Sequence, residues 1–139
     1  MFDLKDAVRP EPKARKPAVL VVEDEALVRI ALADYLEDCE FAVYHAPDAA
    51  GAVALLEAAE IPIDAVLTDV RMPGVMDGFG LARWIRQNRP GVPVLITTGD
   101  NIRAGTDLCS GNPIIPKPHD FKLVAARLRA AIAGNDNRL

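Results

Sequence analysis

The sequence predicts an α/β fold in which a parallel β-sheet is covered by helices, and three observations carry that prediction. Apolar runs of strand length recur at AVLVV (18–22), IDAVLT (63–68) and VPVLIT (92–97). They lack the clean alternation of a half-exposed strand and suit strands buried on both faces. The stretches between them carry apolar residues at helical spacing. Each run also ends on acids or hydroxyls: Glu23-Asp24-Glu25, Asp69 and Thr97-Thr98. A carboxylate at the end of a buried strand is poorly placed for packing and well placed for chemistry.

Size and charge bound the rest. At 139 residues, 50% of them hydrophobic, the chain fits one domain with a full core. A net charge of -4 offers no global positive field for nucleic acid or an anionic membrane. No apolar stretch approaches the roughly 20 residues needed to cross a bilayer. The start MFDLKDAVRP lacks the apolar core of a signal peptide. A cytoplasmic protein with neither nucleic acid nor membrane as partner is expected. Cys39 and Cys109 belong to no C-x-x-C pattern and read as unpaired thiols.

Residues 1–17 mix Pro10, Pro12 and Pro17 with five basic side chains and read as an extended or disordered arm. The domain proper covers 18–133. After the strand 18–22, Val28, Leu32, Tyr35, Leu36 and Cys39 stripe a helix over roughly 26–38. FAVYHA (41–46) is a second strand of mixed polarity, and Pro47-Asp48 opens a helix faced by Ala49, Val53, Leu55 and Leu56. Ile61-Pro62 closes it, and the strand 63–68 then delivers Asp69.

The loop VRMPGVMDG leads into a helix, FGLARWIRQN, with Leu81, Trp84, Ile85 and Asn88 along one side and Pro90-Gly91 as its stop. The strand 92–97 follows. The stretch NIRAGTDLCSG predicts a fourth helix that Gly105 and Thr106 keep short or irregular. Ile114 and Ile115 make a brief fifth strand between Pro113 and Pro116. Phe121, Val124, Leu128, Ala131 and Ile132 stripe a last helix, capped at Gly134, with 134–139 as a frayed tail.

Strand order follows from polarity. Strands one, three and four are the apolar ones and belong in the centre. Strand two is mixed, and strand five is bracketed by prolines, which are confined to edges and strand ends. The result is the order 2-1-3-4-5, the flavodoxin-like, doubly wound arrangement with helices on both faces and ligands at the carboxyl ends of the central strands.

That order gathers the chemistry. Glu23 and Asp24 follow strand one, Asp69 follows strand three, and these strands are neighbours. Crowded carboxylates call for a positive charge among them, and hard oxygen ligands suggest Mg2+, with Mn2+ as a substitute. Strand four adds Thr98 and the small Gly99, and strand five adds Lys117. A metal, a hydroxyl and an ammonium around one carboxylate form a trap for a phosphoryl group. The competing reading of Asp69 is a solvated acid that merely begins a Pro-Gly turn.

From about Ala18 to Ile132 the chain resembles the receiver domain of bacterial two-component response regulators. The matching residues are VLVVEDE, LTDVRMPG, TTGD and IPKP. The resemblance implies that Asp69 accepts a phosphoryl group from a histidine kinase or histidine phosphotransfer protein. It implies that Glu23, Asp24 and Asp69 bind Mg2+ together with the backbone carbonyl of Arg71, and that a cis peptide precedes Pro118.

Three features depart from the family pattern. Ile114 stands three residues before the lysine, where Phe or Tyr is usual. The loop MPGVMDG is one residue longer than MPGMDG, and the fourth helix is weak. At the rim, Arg71 and Asp100 lie two positions after Asp69 and after Thr98, where opposite charges would pair across the mouth and slow attack by water; solvated side chains are the alternative. His45 and His119 have no metal-ligand spacing, and Met72 and Trp84 read as packing residues.

The function expected is that of a stand-alone phosphoacceptor, monomeric or weakly dimeric. About seven residues follow the last helix, so no separate output enzyme is expected. Any catalysis is confined to its own phosphorylation and dephosphorylation, and the signal leaves by contact with a downstream protein or by onward phosphotransfer. The alternative is a constitutive protein-interaction module on the same fold. A flavin or nucleotide carrier would need a phosphate loop where Glu-Asp-Glu stands, and those acids repel phosphate.

Overall fold

In the computed structural model the described residues are 15–99, 114–116 and 120–136. Strands β1 (Ala18–Val22), β2 (Ala42–Ala46), β3 (Ala65–Asp69) and β4 (Val94–Thr98) run parallel in the order β2-β1-β3-β4, as the polarity of the strands predicts. The three-residue β5 (Ile114–Pro116) lies beside β4, with Ile114 opposite Ile96 and Pro116 opposite Thr98. Helices α1 (Ala26–Asp38), α2 (Ala49–Glu57), α3 (Gly78–Asn88) and α4 (Phe121–Asp136) complete the described elements.

Every residue of β1, β3 and β4 is buried, the outcome expected of near-continuous apolar runs. Alternate residues of β1 divide between two core clusters, because successive side chains of a strand point to opposite faces. Leu20 and Val22 pack with Ala52 and Leu56 of α2 and Leu81 and Ile85 of α3. Val19 and Val21 pack with Leu32 and Leu36 of α1 and Val124 and Leu128 of α4. Met72 and Trp84 pack at the edge of the first cluster, as their reading as packing residues requires.

Helix starts differ in how they are held. The Asp48 side chain accepts from Gly51 N at the start of α2, and the Asp77 side chain from Gly80 N at the start of α3. Near the end of α2, the Arg89 guanidinium donates to the Leu56 carbonyl oxygen through Nε (3.2 Å) and Nη2 (2.8 Å). These are charge-assisted bonds to one of the carbonyls a helix end leaves open. Arg89→Met is expected to lower stability by about 1–2 kcal/mol, read as a lower urea midpoint at unchanged slope.

Several boundaries differ from the sequence reading. Strand β3 starts at Ala65 instead of Ile63, because Asp64 serves another purpose. Its carboxylate accepts from Ala18 N at 2.7 Å and pairs with Arg15 at 3.0 Å, so the end of the expected arm is tied down from Arg15 onward. Asn88 is exposed at the end of α3, its amide donating to the Trp84 carbonyl, instead of joining the apolar side. Helix α4 continues through Gly134 to Asp136 instead of capping there. Glycine lowers helix propensity by about 1 kcal/mol without forbidding the conformation. The expected fourth helix, residues 1–14 of the arm and Cys109 lie outside the described residues. Cys39 is a free thiol, and no described helix is long and apolar enough to cross a membrane.

Candidate functional site

The carboxyl ends of β1, β3 and β4 meet at one edge of the sheet. Glu23 directly follows β1 and is buried, while Asp24 beside it is exposed. Asp69 closes β3 and is 6% exposed. One carboxylate oxygen from each of Glu23, Asp24 and Asp69 lies within 4.8 Å of the others. The acid group expected from strand order is thus brought together. All three donors are hard oxygens, and such a set, with two of its members buried, suits a small divalent cation.

Thr98 is the last residue of β4 and is buried at 3% exposure, one position beyond Thr97, which faces Asp69 across the ladder. Arg71 is exposed in the loop after β3 and lines a shallow depression with Asp24, Met72, Pro73 and Asp77. Lys117, Asp100, Pro118 and His119 lie outside the described residues. His45 is exposed on β2. In the lengthened loop, Gly74 takes φ 108°, a left-handed conformation that glycine adopts without strain, and Val75 beside it is fully exposed.

Backbone contacts fix these positions. Val70 N donates to Thr97 O at 3.1 Å, prolonging the ladder one residue past Asp69. Gly78 N donates to Val70 O at 2.8 Å, which draws the start of α3 onto the end of β3. The Thr68 hydroxyl donates to Asp69 O at 3.0 Å. Glu23 N donates to Ala46 O at 3.1 Å, and its Oε2 accepts from Glu25 N at 3.1 Å. The buried Glu23 and Asp69 are held from the backbone outward.

Two residues that shape this edge escape a reading of the sequence. Gly78 sits where an added Cβ would collide with the backbone of Asp69 and Val70, and the signal that points to it is a glycine placed immediately after a helix cap. Arg29 donates from Nη1 to the Glu23 carbonyl oxygen at 2.8 Å. No local pattern marks that contact, since it joins a helix residue to a turn six positions earlier.

Comparisons with known proteins agree with this geometry. The family model described as response regulator receiver domain matches residues 19–129. The transcriptional regulatory protein AruR of Pseudomonas aeruginosa is 40% identical over 125 residues, which are 86% of this chain and 50% of that protein. The receiver domain from the hybrid histidine kinase CckA superposes with a TM-score of 0.70 at 31% identity, covering 83% of this chain and 98% of that one. A CheY-like receiver domain protein from Methanospirillum hungatei JF-1 superposes with a TM-score of 0.78 at 21% identity, over 89% of this chain and 99% of that one. The chain spans about half the length of the curated relatives it matches. On its matched motifs and its fold, the chain belongs to the response regulator receiver domain family.

Proposed function

We propose that this protein is a phosphoacceptor of a two-component or phosphorelay system, with Asp69 as the residue that carries the phosphoryl group. The observation that carries the reading is the convergence of Glu23, Asp24 and Asp69 oxygens within 4.8 Å at the carboxyl edge of β1 and β3. An Asp69 carboxylate oxygen attacks phosphorus, the P–N bond of a phosphohistidine donor breaks, and the released imidazole takes up a proton. Thr98 donates its hydroxyl to one transferred oxygen, and Lys117 neutralises another. Glu23, Asp24, Asp69 and the Arg71 backbone carbonyl would hold Mg2+, or Mn2+ in its place, which when bound would supply positive charge against the phosphoryl oxygens.

The donor is a histidine kinase or a histidine phosphotransfer protein, a choice supported by the likeness to a receiver taken from a hybrid histidine kinase. The signal then passes to a downstream protein. The full flavodoxin-like form, five strands in the order 2-1-3-4-5 with helices on both faces, goes with this reading. The short β5 beside β4 and the division of the core into two clusters support it.

Incubation with acetyl phosphate and Mg2+ is expected to add one phosphoryl group per chain by intact mass, and EDTA is expected to prevent it. A chain that stays unmodified under both acetyl phosphate and phosphorylated donors would overturn the proposal. Ion binding has a separate signature. At free Mg2+ about 100 times the dissociation constant, linkage adds about 2.7 kcal/mol to stability, a rise of roughly 8 °C in the melting midpoint. NaCl at equal ionic strength is expected to give no such rise.

A further inference from the structure

We propose that Arg29 is a positioning residue for the acid pair Glu23-Asp24, holding the β1–α1 turn so that these carboxylates stay convergent with Asp69. The inference rests on the ion-binding role argued above and adds a residue to it. The start of α1 is the weakly held one among the helices that follow β1, β2 and β3. Its N-cap residue, Glu25, makes no side-chain cap hydrogen bond, whereas Asp48 and Asp77 cap α2 and α3. The turn is held through Glu23 instead. Its N–H donates to Ala46 O, its carboxylate accepts from Glu25 N, and its carbonyl oxygen accepts from Arg29 Nη1 at 2.8 Å.

The Arg29 bond is the one among these three that a helix side chain supplies. Arg29 itself is fixed by the first turn of the helix, its N–H donating to Glu25 O at 2.9 Å. The side chain is drawn in far enough that Nε is buried without an acceptor. An arginine directed to solvent would keep that group hydrated. The inward placement sacrifices a hydrogen bond at Nε and secures the carbonyl of the residue that ends the strand. Three carboxylates at this separation repel one another, and the surrounding frame opposes that repulsion. Loosening the turn lets Glu23 and Asp24 spread, and the consequence falls on ion affinity.

The test is calorimetric titration of the unphosphorylated chain with Mg2+ and with Mn2+, comparing wild type, Arg29→Met, Arg29→Lys and Arg89→Met. Loss of a supporting partner of a metal ligand weakens binding about 10- to 100-fold. Arg29→Met is expected near the lower end, about tenfold weaker. Arg29→Lys, which keeps a donor and the charge, is expected to recover part of that loss. The phosphorylation rate at saturating Mg2+ should stay within about twofold of wild type, the pattern of lost binding with intact chemistry.

Arg89→Met lowers stability at a distance and should leave the ion midpoint unchanged. Unchanged affinity in Arg29→Met would overturn the proposal. So would tighter binding, which would mean that the guanidinium is felt only as a like charge to the ion. Equal weakening in Arg89→Met would also overturn it, by reducing the effect to general stability. If wild type itself binds no ion, the phosphoacceptor reading fails and this inference with it; wild-type binding with unaffected Arg29 variants refutes the positioning role alone.

Discussion

Asp69→Asn is expected to take no phosphoryl group from acetyl phosphate or from a phosphohistidine donor, while folding as stably as wild type. The substitution keeps the shape of the side chain and removes the charged oxygen that attacks phosphorus. It also removes one of three carboxylates whose oxygens lie within 4.8 Å of one another, so it relieves repulsion instead of adding it. Loss of labelling therefore reports lost chemistry and not a damaged fold. Labelling retained in the variant would move the acceptor to a neighbouring acid, with the exposed Asp24 the first to examine. Partner binding separates the remaining readings. A constitutive interaction module binds its target equally well as wild type or Asp69→Asn, whereas a switch binds differently only when wild type is phosphorylated.

The parts of this site that sequence makes visible are those whose cause is local. An apolar run that cannot alternate must be buried on both faces, so β1, β3 and β4 are legible as central strands, and the order β2-β1-β3-β4 follows from their polarity. Once order is known, Glu23, Asp24 and Asp69 have to meet, because adjacent parallel strands end at the same edge. Boundaries are less legible, because they depend on competition between partners. Asp64 looks like an early residue of β3 until Arg15 and Ala18 N are seen to occupy its carboxylate.

Arg29 is illegible, and Gly78 is marked only by its place after a helix cap, for a further reason. Their roles arise where two elements touch: Arg29 reaches back from α1 to the Glu23 carbonyl, and Gly78 presses α3 onto the end of β3. Helical periodicity describes which face of an element is apolar. It carries no information about a polar side chain that bonds the turn behind it, or about a glycine needed for a close backbone approach.

Gly78→Ala is expected to destabilise the protein by about 3 kcal/mol and to weaken ion binding, although alanine is the better helix former. A Cβ at this position falls against the Asp69 carbonyl oxygen and lies 2.8 Å from Val70 Cα and 2.9 Å from Asp69 C. All three are backbone atoms of the central strand and its continuation, so no side chain can swing aside. The start of α3 has to withdraw, and its bond from Gly78 N to Val70 O stretches with it. Asp69, whose carbonyl also accepts from Thr68, is the residue displaced.

Two other glycines calibrate the effect. At Gly80 a Cβ meets Met76 Cγ at 2.8 Å, a side-chain atom that must turn aside but leaves the backbone in place, so Gly80→Ala should cost about 1–2 kcal/mol, less than Gly78→Ala. At Gly134, inside α4, nothing lies within 4 Å, and Gly134→Ala should raise stability by about 0.5–1 kcal/mol through helix propensity alone. Denaturant unfolding of the three variants with and without Mg2+ distinguishes them, since only Gly78→Ala should lose stability and ion-dependent stabilisation together. A Gly78→Ala protein that unfolds like Gly80→Ala and responds to Mg2+ like wild type would mean that α3 can move off β3 without disturbing Asp69. The acceptor would then owe its position to the sheet alone.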